Sequence, residues 1–123
     1  RHRRLKFKAL SIVAPSGTRI AEGKKTLEVR SWIPELSPHI DLLIVENSRF
    51  LRVDGETDPN GKAVAIVRVK KTRPFIQADI EAACASSWSE GYYSWELEVI
   101  RKIDRSEPVL AARGIYDVEI PTL

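Results

Sequence analysis

The chain has 123 residues, of which 43% are hydrophobic and 30% charged, and its formal net charge is +3. This length suits one domain with a single core, and the composition is typical of a soluble globular protein. No apolar run approaches the roughly 18 residues of a membrane-spanning helix, and no signal-peptide pattern opens the chain, so we expect a cytoplasmic protein. The single cysteine, Cys84, excludes an intrachain disulfide, which agrees with a reducing compartment.

Positive charges are grouped at the start of the chain, in Arg1, Arg3, Arg4 and Lys6. We interpret residues 1–5 as a basic N-terminal arm and residues 6–121 as the single domain. Such an arm can steer a polyanion, although a solvated tail has the same composition.

The first predicted strand runs from Lys6 to Val13, where side chains alternate between two faces. Pro15 and Ser16 favour a helix start, because proline fits the first turn and serine can cap it. Gly23 suits the left-handed position that ends many helices. A short helix is therefore predicted before a second strand that begins at Thr26.

The second predicted strand, Thr26 to Trp32, carries the main candidate site. Successive side chains of a strand point to opposite faces, so Leu27 and Val29 are expected in the core. The other face then carries Thr26, Glu28, Arg30 and Trp32. This arrangement predicts a polar site, although charged pairs on strands are also ordinary surface features.

Further strands are predicted at residues 41–46, 50–53, 93–100 and 114–120, and a second helix at residues 76–86. The Asn60-Gly61 pair favours a tight hairpin turn. Cys84 falls on the apolar face of the second helix and is expected to be buried. Among the aromatic residues, Trp95 is expected in the core, and Trp88 and Tyr92 are the better candidates for exposure.

A second basic cluster follows the apolar residues 64–67 and consists of Arg68, Lys70, Lys71 and Arg73. Arg68 and Lys70 share one strand face and could contact phosphate together with the N-terminal arm. No cofactor is predicted, since the chain has no P-loop or dinucleotide-binding glycine pattern. No metal site is predicted either, because one cysteine and two histidines lack zinc spacing and the acidic loop before Gly61 lacks calcium spacing.

Gly23, Lys25, Glu28 and Arg30 fit the signature G-x-K-x-x-E-x-R, and on this basis the chain resembles the ASCH domain family, which is related to the PUA RNA-binding domains. Weaker similarities extend over nearly the whole chain, at residues 10–12, 30–32, 93–97 and 113–116. The resemblance implies an α+β fold, a small and mostly antiparallel PUA-like β-barrel flanked by two short helices.

The resemblance also implies a function, the binding of RNA or a modified nucleoside. The residues expected to carry it are Lys25, Glu28, Arg30, Trp32, Arg68, Lys70 and Tyr92. In this interpretation Arg30 and the second basic cluster contact phosphate, and Trp32 or Tyr92 stacks on a base while Glu28 reads amino groups on its edge.

The alternative is an amidohydrolase acting on N4-acetylcytidine, or a small ribonuclease, with Lys25 as catalytic base and Glu28 as proton shuttle. The small hydrolases of the family carry threonine where this chain has Glu28, so the match to them is uneven. A protein-interaction domain is a third class. The sequence leaves open whether the protein is an enzyme, its ligand and its oligomeric state.

Overall fold

The computed structural model describes residues 4–104 and 108–121. Its strands are β1 (Arg4–Val13), β2 (Leu27–Arg30), β3 (Leu42–Asn47), β4 (Thr57–Pro74), β5 (Tyr93–Lys102), β6 (Pro108–Ala112) and β7 (Ile115–Pro121). Two short helices accompany them, α1 (Ser16–Ala21) and α2 (Ile80–Ala83), and a 3-10 turn (Gln77–Asp79) precedes α2. Neither helix has the length and apolar character needed to cross a membrane.

Most of the predicted N-terminal arm, residues 1–3, lies outside the described residues. Arg4 and Leu5 belong to β1, and Arg4 forms an ion pair of 3.5 Å with Glu119 on β7. This part of the predicted arm is therefore paired in the sheet.

The strands form one sheet in the order β2-β5-β4-β3-β1-β7, and β6 pairs with part of β4. All neighbours are antiparallel except β1 and β3. Within the described residues no ladder joins the edge strands β2 and β7, so the sheet is not closed. The predicted mostly antiparallel sheet with two short helices is confirmed, and the predicted barrel is not.

Both faces of the central strands are buried. On one face Leu10 of β1 packs in a core with Trp95, which is fully buried as predicted. On the other face Ala9 packs in a second core with Leu43. The continuous apolar run of β3 follows from this arrangement, because that strand has cores on both sides.

The hairpin predicted at Asn60-Gly61 is wrong, because β4 runs through both residues. A register shift between Asp58 and Gly61 bulges β4 against β6. A Cβ atom added to Gly61 would lie 2.6 Å from the carbonyl oxygen of Val109 and 2.7 Å from Cγ1 of Val45. The glycine therefore permits a close approach and makes no turn.

We expect Gly61→Ala to lower the free energy of unfolding by about 1–3 kcal/mol, the usual cost of inserting a methyl group where no space exists. Urea denaturation measures the change. Asn60→Ala is the matched control, since Asn60 is exposed and in the same bulge. Equal stability of the two variants would contradict the steric explanation.

The structure differs from three other predictions. Residues 50–53 form no strand, and the second helix ends at Ala83, where the predicted helix continued to residue 86. Cys84 adopts a left-handed conformation (φ +52°), which ends the helix and leaves this cysteine exposed where burial was predicted. Trp88 and Tyr92 are 39% and 41% exposed, as predicted.

Candidate functional site

The signature segment begins where α1 ends. Gly23 has φ +78° and lets the chain turn, so that the backbone N–H groups of Lys24 and Lys25 both donate to the carbonyl oxygen of Arg19. Lys25 is thereby placed at the entry of β2, between the predicted helix and the predicted strand.

The Lys25 ammonium group connects β2 to α2 through contacts inside the protein. It donates to the carbonyl oxygen of Ala83 at 2.5 Å and lies 3.3 Å from Oε1 of Glu28. Ala83 is the last residue of α2, where carbonyl groups lack partners within the helix. Lys25 is only 7% exposed, so its amine is committed to contacts inside the protein.

Glu28 contacts both Lys25 and Arg30. Its second oxygen, Oε2, accepts from Nε of Arg30 at 2.8 Å, so one buried carboxylate lies between two cations. In the sheet Glu28 is opposite Trp95, on the face of the core that contains Leu10 and Trp95, called here the main core. Leu27 packs on the other face, against α2 and its surroundings. Because both faces of β2 are covered, the predicted polar face is buried at Glu28.

Arg30 is the member of the signature that reaches a cleft. Its Nη2 donates to the carbonyl oxygen of Ser11 at 3.2 Å, and its side chain is 26% exposed. The cleft has a volume of about 300 Å³, and its charged and aromatic lining residues are Arg30, Trp32, Arg49, Phe50, Asp54 and Arg113. Three guanidinium groups and one carboxylate thus line the cleft, and each guanidinium also pairs with an acidic side chain, Arg30 with Glu28, Arg49 with Glu56 and Arg113 with Asp54.

Trp32 lines the same cleft and is held from behind by Trp95. The two rings meet edge to face, with centroids 4.9 Å apart and an angle of 79° between their planes. Nε1 of Trp95 also donates to the carbonyl oxygen of Trp32 at 3.2 Å. The Trp32 ring is therefore held in a fixed position beside Arg30.

The remaining predicted site residues lie elsewhere. Arg68 pairs with Asp41 at 2.9 Å. Lys70 is exposed on β4 and Tyr92 is exposed just before β5. None of these three lines the cleft, so the structure brings Arg30 and Trp32 together there, with Lys25 and Glu28 behind them.

Sequence reasoning missed Arg49, Phe50 and Arg113. The first two belong to the loop between β3 and β4, and Arg113 belongs to the turn between β6 and β7. All three are distant in sequence from the signature, so spacing along the chain gives no sign that they meet Arg30. The one local signal is the mixed basic and apolar run from Arg49 to Val53.

A second charged cluster, centred on Asp79, holds the segment before α2 against the sheet. Arg73 contacts both oxygens of Asp79, at 2.6 and 3.0 Å, and its Nε donates to Glu96 at 2.9 Å. Ser94 Oγ and the backbone N–H of Ile76 also donate to Asp79. The Arg73 guanidinium, chiefly, holds the pKa of Asp79 below its usual range. This cluster fixes the position of α2, which accepts the bond from Lys25.

A larger depression of about 700 Å³ lies beside β1 and β7. Its lysines are paired, Lys8 with Asp117 at 2.7 Å and Lys6 with Glu119 at 3.7 Å. Its lining has two lysines against the three carboxylates of Asp41, Asp117 and Glu119, so it is a weaker candidate for an anionic ligand than the smaller cleft. Residues 4–104 and 108–121 contain no group of three histidine, cysteine or acidic side chains arranged to hold a metal ion.

Comparisons with known proteins agree on one family. The sequence model of the ASCH domain matches residues 10–107. The crystal structure of ASCH from Zymomonas mobilis is similar, with a TM-score of 0.56 and 15% identity over 83% of this chain and 69% of that chain. Two mutant structures of that protein give TM-scores of 0.52 and 0.50, with 14% and 12% identity over 83% of this chain and 71% and 70% of theirs. At these identities the structural likeness shows the fold alone, and no curated protein matches the chain in sequence.

Proposed function

Since the chain belongs to the ASCH domain family of the PUA-like superfamily, we propose that it binds RNA or a modified nucleoside in the cleft lined by Arg30 and Trp32. The observation that supports this most strongly is the meeting of three guanidinium groups and two aromatic rings on one small cleft. Guanidinium groups contact phosphate, and aromatic rings stack on unpaired bases.

The arginines keep donors for a ligand. Arg30 uses Nε and Nη2, and Arg113 uses Nη1 to bond Asp54 at 2.8 Å. Nη1 of Arg30 and Nη2 of Arg113 bond none of the described residues. A guanidinium has five N–H donors, so each of these arginines can hold its internal partner and contact a phosphate oxygen as well.

The proposal changes the role of two signature residues. Glu28 already forms an ion pair with Lys25 and accepts a hydrogen bond from Arg30, so its oxygens are poorly placed to read a base edge. Lys25 bonds α2 and lies outside the lining of the cleft. In the proposed function these two residues hold Arg30 in position, and Arg30 and Trp32 contact the ligand.

We expect Arg113→Ala to weaken binding of a labelled single-stranded RNA of about ten nucleotides, and to reduce the salt dependence of binding. Fluorescence anisotropy at about 50 and 200 mM salt measures both, since each lost phosphate contact lowers the slope by about 0.7 for single strands. Arg101→Ala is the matched control, because Arg101 is an exposed arginine of β5 outside the cleft. Equal effects of the two substitutions would show that the cleft does not bind the RNA.

The hydrolase alternative has less geometric support, because the Lys25 amine is buried and bonded to Ala83 and Glu28. Incubation of the unmutated protein with N4-acetylcytidine, followed by chromatography, tests it directly. Binding without release of cytidine is the expected result. Release of cytidine would favour hydrolysis over simple binding.

A further inference from the structure

Phe50 is an unusually exposed aromatic residue at the rim of the cleft. It lies in the loop between β3 and β4, 66% of its surface is exposed, and its ring is one of the lining groups. Single exposed apolar residues are common on proteins, so exposure alone carries no argument. Val53 of the same loop is equally exposed and does not line the cleft. The position of Phe50 is what distinguishes it.

The loop that carries Phe50 is organised around Glu56. The carboxylate accepts the backbone N–H groups of Arg52 and Val53, at 2.9 and 3.3 Å, and bonds Nη1 of Arg49 at 2.5 Å. These bonds, that of the Arg52 backbone first, lower the pKa of Glu56. The loop is thus fixed from within by a carboxylate that stays ionised at neutral pH.

Two further contacts fix the loop to the rest of the protein. Asn47 at the end of β3 donates to the carbonyl oxygen of Arg49 at 2.7 Å. Arg113 donates to the carbonyl oxygen of Arg52 at 3.2 Å and to Asp54 at 2.8 Å. A loop held in this way needs little ordering when a ligand binds, which favours affinity.

The ring of Phe50 also has a defined electrostatic environment. The guanidinium carbon of Arg52 lies 5.8 Å from the ring centroid, a cation–π arrangement, and Arg49 lines the cleft beside Phe50. The cleft thus offers an aromatic surface beside its three lining arginines, Arg30, Arg49 and Arg113. This combination matches the chemistry of one unpaired nucleotide, a flat base attached to a phosphate.

We infer that Phe50 is a base-stacking residue that holds one unpaired nucleotide of a single-stranded RNA in the cleft. One base stacks on the exposed ring, and the phosphate of that nucleotide contacts Arg49 or Arg113. This inference rests on the proposed function, since it names a contact residue and a ligand class for the same cleft.

Anisotropy with the labelled single-stranded RNA tests the inference. Phe50→Ala is expected to weaken binding roughly tenfold, the effect typical of one stacked base, while Phe50→Trp retains it. Val53→Ala is the matched control, because it removes an equally exposed apolar side chain from the same loop. It should change the dissociation constant less than twofold. Equal binding by Phe50→Ala and Val53→Ala would overturn the inference.

A scan of the RNA with single abasic positions identifies stacking as the cause. The unmutated protein should lose affinity at one position, and Phe50→Ala should be insensitive to base removal there. A Phe50→Ala protein that remains as sensitive as the unmutated one would exclude stacking. If Phe50→Ala has no effect while Arg113→Ala still weakens binding, this inference fails and the proposed function stands. If Arg113→Ala behaves like Arg101→Ala, the proposed function itself fails.

Discussion

Asp79→Asn is expected to lower the free energy of unfolding by about 3 kcal/mol. Asp79 is 6% exposed and accepts bonds from Arg73, Ser94 and the Ile76 backbone. Removal of one partner from a buried ion pair costs about 3–5 kcal/mol, because the other charge is left without compensation. The lower end applies here, since Arg73 is 32% exposed and still pairs with Glu96. Urea denaturation at pH 7 measures the loss.

The matched control makes the same chemical change at the surface. Asp117 pairs with Lys8 at 2.7 Å, but its side chain is 80% exposed. Exposed pairs contribute about 0–1 kcal/mol, so Asp117→Asn should be almost neutral. If the two substitutions cost the same, Asp79 does not act as a buried anchor.

The contribution of Asp79 should also depend on pH, in a direction set by its lowered pKa. A carboxylate with a lowered folded-state pKa stabilises the protein above its unfolded pKa, and this stability is lost as pH falls through the folded value. The ordinary value for aspartate is 3.8. The difference between the unmutated protein and Asp79→Asn should therefore be complete at pH 7 and narrow in acid below about pH 4. A difference that is constant down to pH 2 would contradict the assignment.

Sequence patterns predict a helix or strand well when the residues of that element themselves determine it. Gly23 predicts the end of the helix before it, and it does adopt the left-handed conformation that ends a helix. β3 was predicted because a strand between two cores must be apolar on both faces. At Gly61 the same reasoning failed, because an Asn-Gly pair favours a turn and the structure needs the glycine for its lack of a side chain beside Val109. That cause lies in a distant strand and leaves no local sign.

The residues of the candidate site also fall into two groups, those with a local sequence pattern and those that only the fold brings together. The alternation in β2 correctly placed Glu28 and Arg30 on one face, but it did not reveal that α2 and the main core cover the strand on both sides. Arg49 and Arg113 reach the cleft only through the fold of the sheet. Arg30 and Trp32 have a local sign because they are close together in sequence, whereas long-range packing brings the other lining residues to them.

Lys25→Ala is expected to lower the free energy of unfolding by about 3–4 kcal/mol. The substitution removes the partner of the Ala83 carbonyl group and leaves the buried Glu28 with Arg30 alone. An unpaired buried polar group and a broken buried ion pair are both costly. Lys24→Ala is the matched control, since the neighbouring Lys24 is 70% exposed and pairs with Glu22 at 3.4 Å. That variant should change stability by less than about 1 kcal/mol.

Loss of stability alone can impair a Lys25 variant. A loss of binding or turnover in Lys25→Ala would follow from a loosened α2 and a displaced Arg30 without any chemical role for the amine. A double-mutant cycle of Lys25→Met and Glu28→Gln separates the two explanations. If the two side chains form one buried ion pair, the double variant should lose about 1–3 kcal/mol less stability than the sum of the losses in the two single variants. Additive costs, together with activity lost in a fully folded Lys25→Met protein, would instead make Lys25 a catalytic group.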